Sequence, residues 1–413
     1  MDLSPPSEAR WPVDSADPAG CKLAGEFFAT WMTSPEQIEA ETYRGPGLAV
    51  TVEYLRILYN VDERAFSDGE LLRWFADTQK QAEIIGGTTL QEFYDTVIGP
   101  AVNFCGASVC KSLGWSGNSD LAGIGVFSSY YIEAILATLY LIVLLARRFR
   151  IWSGSEGLSR RTMIAFLATI GDLVQGVFIF AIAIICASLH SILRVLEDDF
   201  SVTTYEVVTA VLVTIFAVCP ATLLYSLGGN SKGPKPLLRV ILFAVWVLML
   251  AVVNIGRKTD PSREALQAGT IGHPFELYCQ VIGNSPLEAV RIFAVVSAGL
   301  GALWLLYVIF GKRETADSEA DKQDIRLWQV VISILACLVM WFFLGLFTAM
   351  RARIIEVAGD SDASNEWSFG QIVALATWAP VILNFFYILF MGLEEGRGCK
   401  LPDGFAITES SGK

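Results

Sequence analysis

The chain has 413 residues, of which 53% are hydrophobic and 17% are charged, and its formal net charge is −12. This composition is typical of a multi-pass membrane protein rather than a soluble enzyme. The acidity is concentrated at the start, because residues 1–120 carry 18 Asp and Glu against 8 Lys and Arg. An acidic segment argues against nucleic-acid binding, which needs a basic surface.

Residues 1–120 predict a small, mostly helical, acidic N-terminal head. Its first residues, MDLSPPSEARWP, have neither the basic nor the apolar region of a signal peptide. Residues 24–33 are too short and too polar to span a membrane. Residues 50–61 and 70–85 place apolar side chains at helical spacing.

Seven apolar stretches follow the head, each close to the ~20 residues that a helix needs to cross a bilayer. They predict an all-α fold in which residues 121–395 form a seven-transmembrane helix bundle, followed by a tail over 396–413. Pro220 and Pro380 predict kinks, which neighbouring helices can accommodate in lipid. Ser297 and Gly301 form a small-xxx-small pair, which predicts a close helix contact. The predicted spans are 123–146, 163–187, 204–227, 237–254, 288–310, 327–350 and 368–392.

The positive-inside rule predicts the orientation of the bundle. The loops 147–162, 228–239 and 311–326 and the tail together carry fifteen Lys and Arg. The loops on the opposite side carry six, at Arg194, Arg257, Lys258, Arg263, Arg351 and Arg353. We therefore expect a cytoplasmic tail and a head that lies outside the cell or in a lumen, with the lipid bilayer as the main partner.

Two carboxylates lie deep within predicted spans, Glu133 in the first and Asp172 in the second. Acids inside a membrane are costly and are candidates for function. One hypothesis is a catalytic, proton-handling or ligand-binding pair, with Tyr130 and Gln175 as polar neighbours. The alternative is that each acid is neutral, bonded to Gln175, Ser128 or Tyr130, and only fixes helix packing.

Four cysteines share the predicted outer side. An even number in an oxidising space indicates two disulfides, with three possible pairings. Free thiols are the alternative. These disulfide candidates are Cys21, Cys105, Cys110 and Cys279.

Metal and cofactor sites are not expected. The chain has two histidines, His190 and His273, both at or beyond predicted helix ends. Membrane haem proteins and zinc hydrolases need clusters of His with other ligands. We therefore expect no metal and no cofactor.

Two stretches of the sequence resemble known proteins. They are CGASVCKSLGWSGNSDLAGIGVFSSYYIEAIL from Cys105 and WSFGQIVALATWAPVILNFFYILFMGLEEG from Trp367, with Leu401-Pro402 nearby. The chain resembles a family of uncharacterised, seven-span integral membrane proteins of filamentous fungi. Some members resemble accessory products of secondary-metabolite pathways, so the resemblance implies an accessory role in such a pathway. It transfers no functional residue.

Two other functions stay open from the sequence. Buried acids would suit a membrane-embedded, acid-catalysed cyclase or isomerase, which should show a lipid-accessible cavity around Glu133 and Asp172. A seven-helix receptor or sensor should show a water-facing cavity for a small-molecule ligand. The receptor sequence signatures are missing, since span three ends in CPATLLYSLGG and span seven has NFFY without a proline.

Overall fold

The structure is a computed structural model that describes residues 18–32, 47–60, 66–85, 96–97, 99–113, 117–149, 158–196, 203–227, 235–258, 279, 292, 294–299, 301–302, 327–359 and 367–392. These residues form helices and short connections, and none of them lies in a strand. The predicted all-α class is therefore confirmed.

Four helices of the described part of the chain precede its apolar part. They are α1 (Pro18–Met32), α2 (Leu48–Tyr59), α3 (Asp68–Ile85) and α4 (Gly99–Leu113). They pack around a hydrophobic cluster of their own, in which the Phe27 and Tyr54 rings stack at 4.1 Å. The Tyr54 hydroxyl donates to the Val97 carbonyl at 2.5 Å, and burial raises the pKa of this phenol.

Six helices are long and apolar enough to cross a membrane within the described ranges. They begin after a short helix, α5 (Ser119–Ala122), which Asn118 caps by accepting from the Asp120 amide. The elements are α6 (Ile124–Arg148), α7 (Leu158–Leu196), α8 (Thr204–Leu227), α9 (Lys235–Lys258), α10 (Leu327–Ala358) and the last span, formed by α11 (Phe369–Ala376) and α12 (Ala379–Met391).

These helices fit six of the seven predicted spans, and two of them extend further than their apolar stretches. Helix α7 has 39 residues, roughly 58 Å at ~1.5 Å per residue, so it is longer than the ~30 Å hydrocarbon core. Helix α10 likewise extends eight residues beyond the predicted end at residue 350. The last span is interrupted at Thr377 and Trp378, and Pro380 lies in the first turn of α12.

Helix α8 lies at the centre of the bundle, because 94% of its membrane window is buried. It contacts α10, α7, α9 and α6. The last span lies at the edge, since only 11% of its window is buried. It packs against α6 through α11 and against α7 through α12.

The predicted fifth span, 288–310, lies mostly outside the described residues. Residues 292, 294–299 and 301–302 of this stretch are helical. Ala294 and Ala298 are buried in the bundle cluster. A Cβ added to Gly301 would overlap the Trp246 ring of α9. Gly301 therefore allows this segment to approach α9 closely.

Replacing Gly301 by Ala should weaken this contact, because the Trp246 ring would have to move. Overpacking of this kind costs about 1–3 kcal/mol. We expect a lower Tm for detergent-solubilised Gly301→Ala. The matched control is Gly299→Ala, where an added Cβ meets nothing within 4 Å. Equal Tm values for the two variants would contradict the contact.

Candidate functional site

Glu133 is fully buried in α6, where it has 0% exposure. Neither of its carboxyl oxygens has a hydrogen-bond partner among the described residues. It interacts electrostatically with Tyr130 on its own helix and with Cys219 on α8. The protons of both neighbours are directed to backbone carbonyls, of Leu121 at 3.1 Å and of Ile215 at 3.2 Å. Glu133 therefore lies in a packed part of the bundle.

Asp172 is half-buried in α7 and has a partner on another helix. Its carboxylate accepts a hydrogen bond from the Asn384 side-chain amide of α12 at 2.9 Å. It also interacts electrostatically with Tyr140 of α6, whose hydroxyl lies 2.5 Å from Thr169. Because the Thr169 hydroxyl donates to the Ala165 carbonyl, Tyr140 is the donor to Thr169. Asp172 thus joins the last span to α7.

Of the polar neighbours proposed from the sequence, Tyr130 lies near Glu133, whereas Gln175 and Ser128 have other surroundings. Gln175 is exposed on the surface of α7. The Ser128 hydroxyl donates to the Ile124 carbonyl at 2.8 Å. The structure therefore gives the two acids separate surroundings: Tyr130 and Cys219 for Glu133, and Asn384 and Tyr140 for Asp172.

A second polar contact holds the last span to the first. The Gly125 amide donates to the Gln371 side-chain oxygen at 3.0 Å, and Gln371 is fully buried. A Cβ on Gly125 would lie 2.6 Å from the Gln371 Cβ, so glycine is needed for the approach. Asn384 and Gln371 are visible in the sequence as polar residues in an apolar span. Their partners are 212 and 246 residues away, so sequence reasoning missed them.

Further polar pairs join the other membrane helices. Each pairs a hydroxyl or an indole on one helix with a hydroxyl on another, and such interhelical hydrogen bonds help helices to associate in lipid. They are Tyr131 with Thr348 at 2.9 Å, Ser226 with Ser333 at 2.5 Å and Trp246 with Thr222 at 3.1 Å.

The four cysteines that the sequence predicts on the outer side form two disulfides in the structure. Cys21 of α1 is bonded to Cys105 of α4, and Cys110 of α4 is bonded to Cys279. Cys105 belongs to the cluster of α1–α4, whereas Cys110 and Cys279 belong to the cluster of the bundle. Helix α4 is therefore linked by disulfides both to α1 and to Cys279.

Two cavities lie near the Ile124 end of α6. The first, here called the Arg351 cavity, holds about 20 Å³, room for roughly one water molecule. Leu121, Glu206, Phe347 and Arg351 are among its lining residues. The Arg351 guanidinium donates to the Ala122 carbonyl at 3.0 Å and lies 5.0 Å from the Phe127 ring centroid.

The second cavity, here called the Cys110–Cys279 groove, is wider, at about 310 Å³. It lies between α4 and α10, and Lys111, Arg353 and Glu356 contribute its charges. Neither cavity is lined by Glu133 or Asp172. Within the described ranges, no three His, Cys, Asp or Glu side chains are grouped as metal ligands.

Comparison of the chain with protein-family models, with curated proteins and with solved structures finds no match.

A double-mutant cycle on Asp172 and Asn384 should measure the bond between α7 and α12. Asp172→Ala and Asn384→Ala should each lower the free energy of unfolding in micelles. The double variant should lower it by less than the sum of the two single effects. The coupling energy should be near 0.6 kcal/mol and at most about 1.7 kcal/mol, the range of such bonds in membranes. Strict additivity would contradict the bond.

Proposed function

We propose that the chain is a non-catalytic, seven-span membrane protein that carries a disulfide-braced helical head on the outer or lumenal side. The pair Cys110–Cys279 is the observation that carries this proposal. Stable disulfides belong to oxidising compartments, and both cysteines of a pair must reach the same side of the membrane. The six membrane-capable helices of the described residues support a multi-pass membrane protein.

The chain order supports this arrangement. Among the described residues between Cys110 and Cys279 there are four membrane-capable helices, α6 to α9. An even number of crossings returns the chain to the side from which it started, which the disulfide requires. The fifteen-to-six division of Lys and Arg favours the tail side as cytoplasmic.

The placement of the two acids favours an accessory role over catalysis. An acid-catalysed cyclase or isomerase needs substrate to reach its carboxyl groups. Glu133 is enclosed by packed side chains, and Asp172 is bonded to Asn384. Together with the resemblance to the fungal membrane family, this favours an accessory component of a biosynthetic pathway, in which the braced head contributes contacts rather than chemistry.

A receptor or sensor is the second candidate, because the Cys110–Cys279 groove is large enough for a small molecule. Its volume of about 310 Å³ falls at the lower end of known ligand pockets. Lys111, Arg353 and Glu356 would offer both signs of charge to a polar ligand. In this proposal the groove lies on the outer or lumenal side, because Cys110 and Cys279 are among its lining residues.

The accessory proposal is tested in a fungal strain that lacks the gene, complemented with variants and assayed by its metabolite profile. Cys279→Ser should fail to restore the profile, because the head is no longer tied to the bundle. Asp172→Asn should restore it, since an amide can keep a bond to Asn384. Mass mapping without reductant should find the Cys110–Cys279 peptide in the wild type.

The reverse result would contradict the accessory proposal. If Asp172→Asn accumulates normally yet abolishes the profile, the acid takes part in chemistry. Cys105→Ser is the matched control for loss of a disulfide, because it removes the Cys21–Cys105 bond within α1–α4 and leaves the link to the bundle. Quantitative alkylation of all four cysteines without reductant would reject the braced head.

A further inference from the structure

Glu133 and Asp172 are both acids deep in membrane-spanning helices, but only Asp172 has a described hydrogen-bond partner on another helix. The polar atoms of Ser188, Thr214 and Trp378 are also buried without a described partner. A neutral hydroxyl or indole in that position lacks one hydrogen bond. A carboxylate in that position would carry a full negative charge with nothing to compensate it. Burying such a charge costs far more free energy than one missing hydrogen bond.

Among the described residues, the neighbours of Glu133 offer no donor that would stabilise a charge. The hydroxyl of Tyr130 and the thiol of Cys219 donate elsewhere, and Thr138 donates to the Ala134 carbonyl. Cys337 of α10 interacts with Cys219. The acidic residue deep in α7 is Asp172, and its carboxylate accepts a hydrogen bond from the Asn384 amide. Helix α11 contributes no titratable side chain.

The cations and acids on the remaining helix faces have contacts of their own. Arg351 of α10 is bonded to the Ala122 carbonyl at the Ile124 end of α6. Glu206 lies in the first turn of α8 and lines the Arg351 cavity. Glu133 lies roughly 14 Å along α6 from Ile124, at ~1.5 Å per residue. The buried acid is therefore compatible with its site only when it carries a proton.

A short route leads from the Arg351 cavity to this acid. Leu121 and Phe347 line the cavity, and both contact Tyr130. The Tyr130 hydroxyl donates to the Leu121 carbonyl, and its ring lies 5.8 Å from that of Phe347. Tyr130 is one helical turn before Glu133 on the same face of α6. Tyr130 thus contacts two residues that line the cavity and lies one turn from Glu133 along α6.

We propose that Glu133 is a proton-binding site that exchanges its proton with water in the Arg351 cavity when Tyr130 moves aside. The O–H bond of the carboxylic acid breaks, the proton passes to a water molecule in the cavity, and the electron pair stays on the carboxylate. The packing around Glu133 suits the protonated state, because a neutral carboxyl group needs no opposite charge. Loss of the proton leaves a charge without a donor between α6 and α8, so these two helices must repack.

Infrared spectroscopy of the full-length protein in lipid vesicles tests this site. Glu133→Gln should remove one band of a protonated carboxylic acid, and in the wild type this band should shift in D₂O. Asp172→Asn is the matched control and should leave that band in place. Tyr130→Phe should accelerate the D₂O shift about fivefold, the factor for loss of one hydrogen bond of about 1 kcal/mol.

Each opposite result overturns a part of the proposal. Loss of an ionised-carboxylate band in Glu133→Gln would overturn the protonated state. A band that does not shift over many hours in D₂O would make Glu133 a sealed structural acid. An unchanged rate in Tyr130→Phe would overturn the route. Labelling by dicyclohexylcarbodiimide, which attacks protonated carboxyl groups in membranes, needs no variant, and an unlabelled Glu133 peptide would also reject the site.

Discussion

Polar groups within a bilayer have no water to bind, and this constraint organises the structure. Backbone groups are satisfied within helices, so a buried polar side chain must bond to a carbonyl of its own helix, find a partner on a neighbouring helix or remain without one. The central position of α8 agrees with its sequence, since a helix without a distinct polar face can be surrounded by others. The polar pairs then determine which helix lies beside which. Asp172 with Asn384 and Gln371 with Gly125 hold the last span, which has little other buried surface.

Helix α4 connects the cluster of α1–α4 to the membrane bundle. Its Cys105 side belongs to a cluster of aromatic residues typical of a water-soluble domain. Its Cys110 side packs with the bundle, and the bond to Cys279 spans 169 residues of sequence. A movement of α4 would therefore be transmitted both to α1 and to α10, which it contacts. The Cys110–Cys279 groove lies on this connection, so a ligand there would contact both parts.

The apolar spans could be predicted from sequence because hydrophobicity alone marks a membrane helix. The lengths of the helices could not be predicted as well. The ends of α7 and α10 contain polar residues beyond the apolar stretches, and hydropathy does not assign such residues to a membrane helix. Pro380 indicated a kink, and the last span is indeed broken just before it. The pairing of four cysteines and the partner of Asp172 depend on three-dimensional proximity. Gln175, three residues after Asp172, was the obvious local candidate, yet Asn384 is the partner from 212 residues away.

The central claim is that the head and the tail lie on opposite sides of the membrane, with the head in the oxidising space. A reporter that is active only in the cytosol, fused in turn to each end of the full chain, tests it most directly. We expect signal from the fusion after Lys413 and none from the fusion before Met1. Signal from the N-terminal fusion alone would contradict the orientation, and signal from both would contradict an odd number of spans.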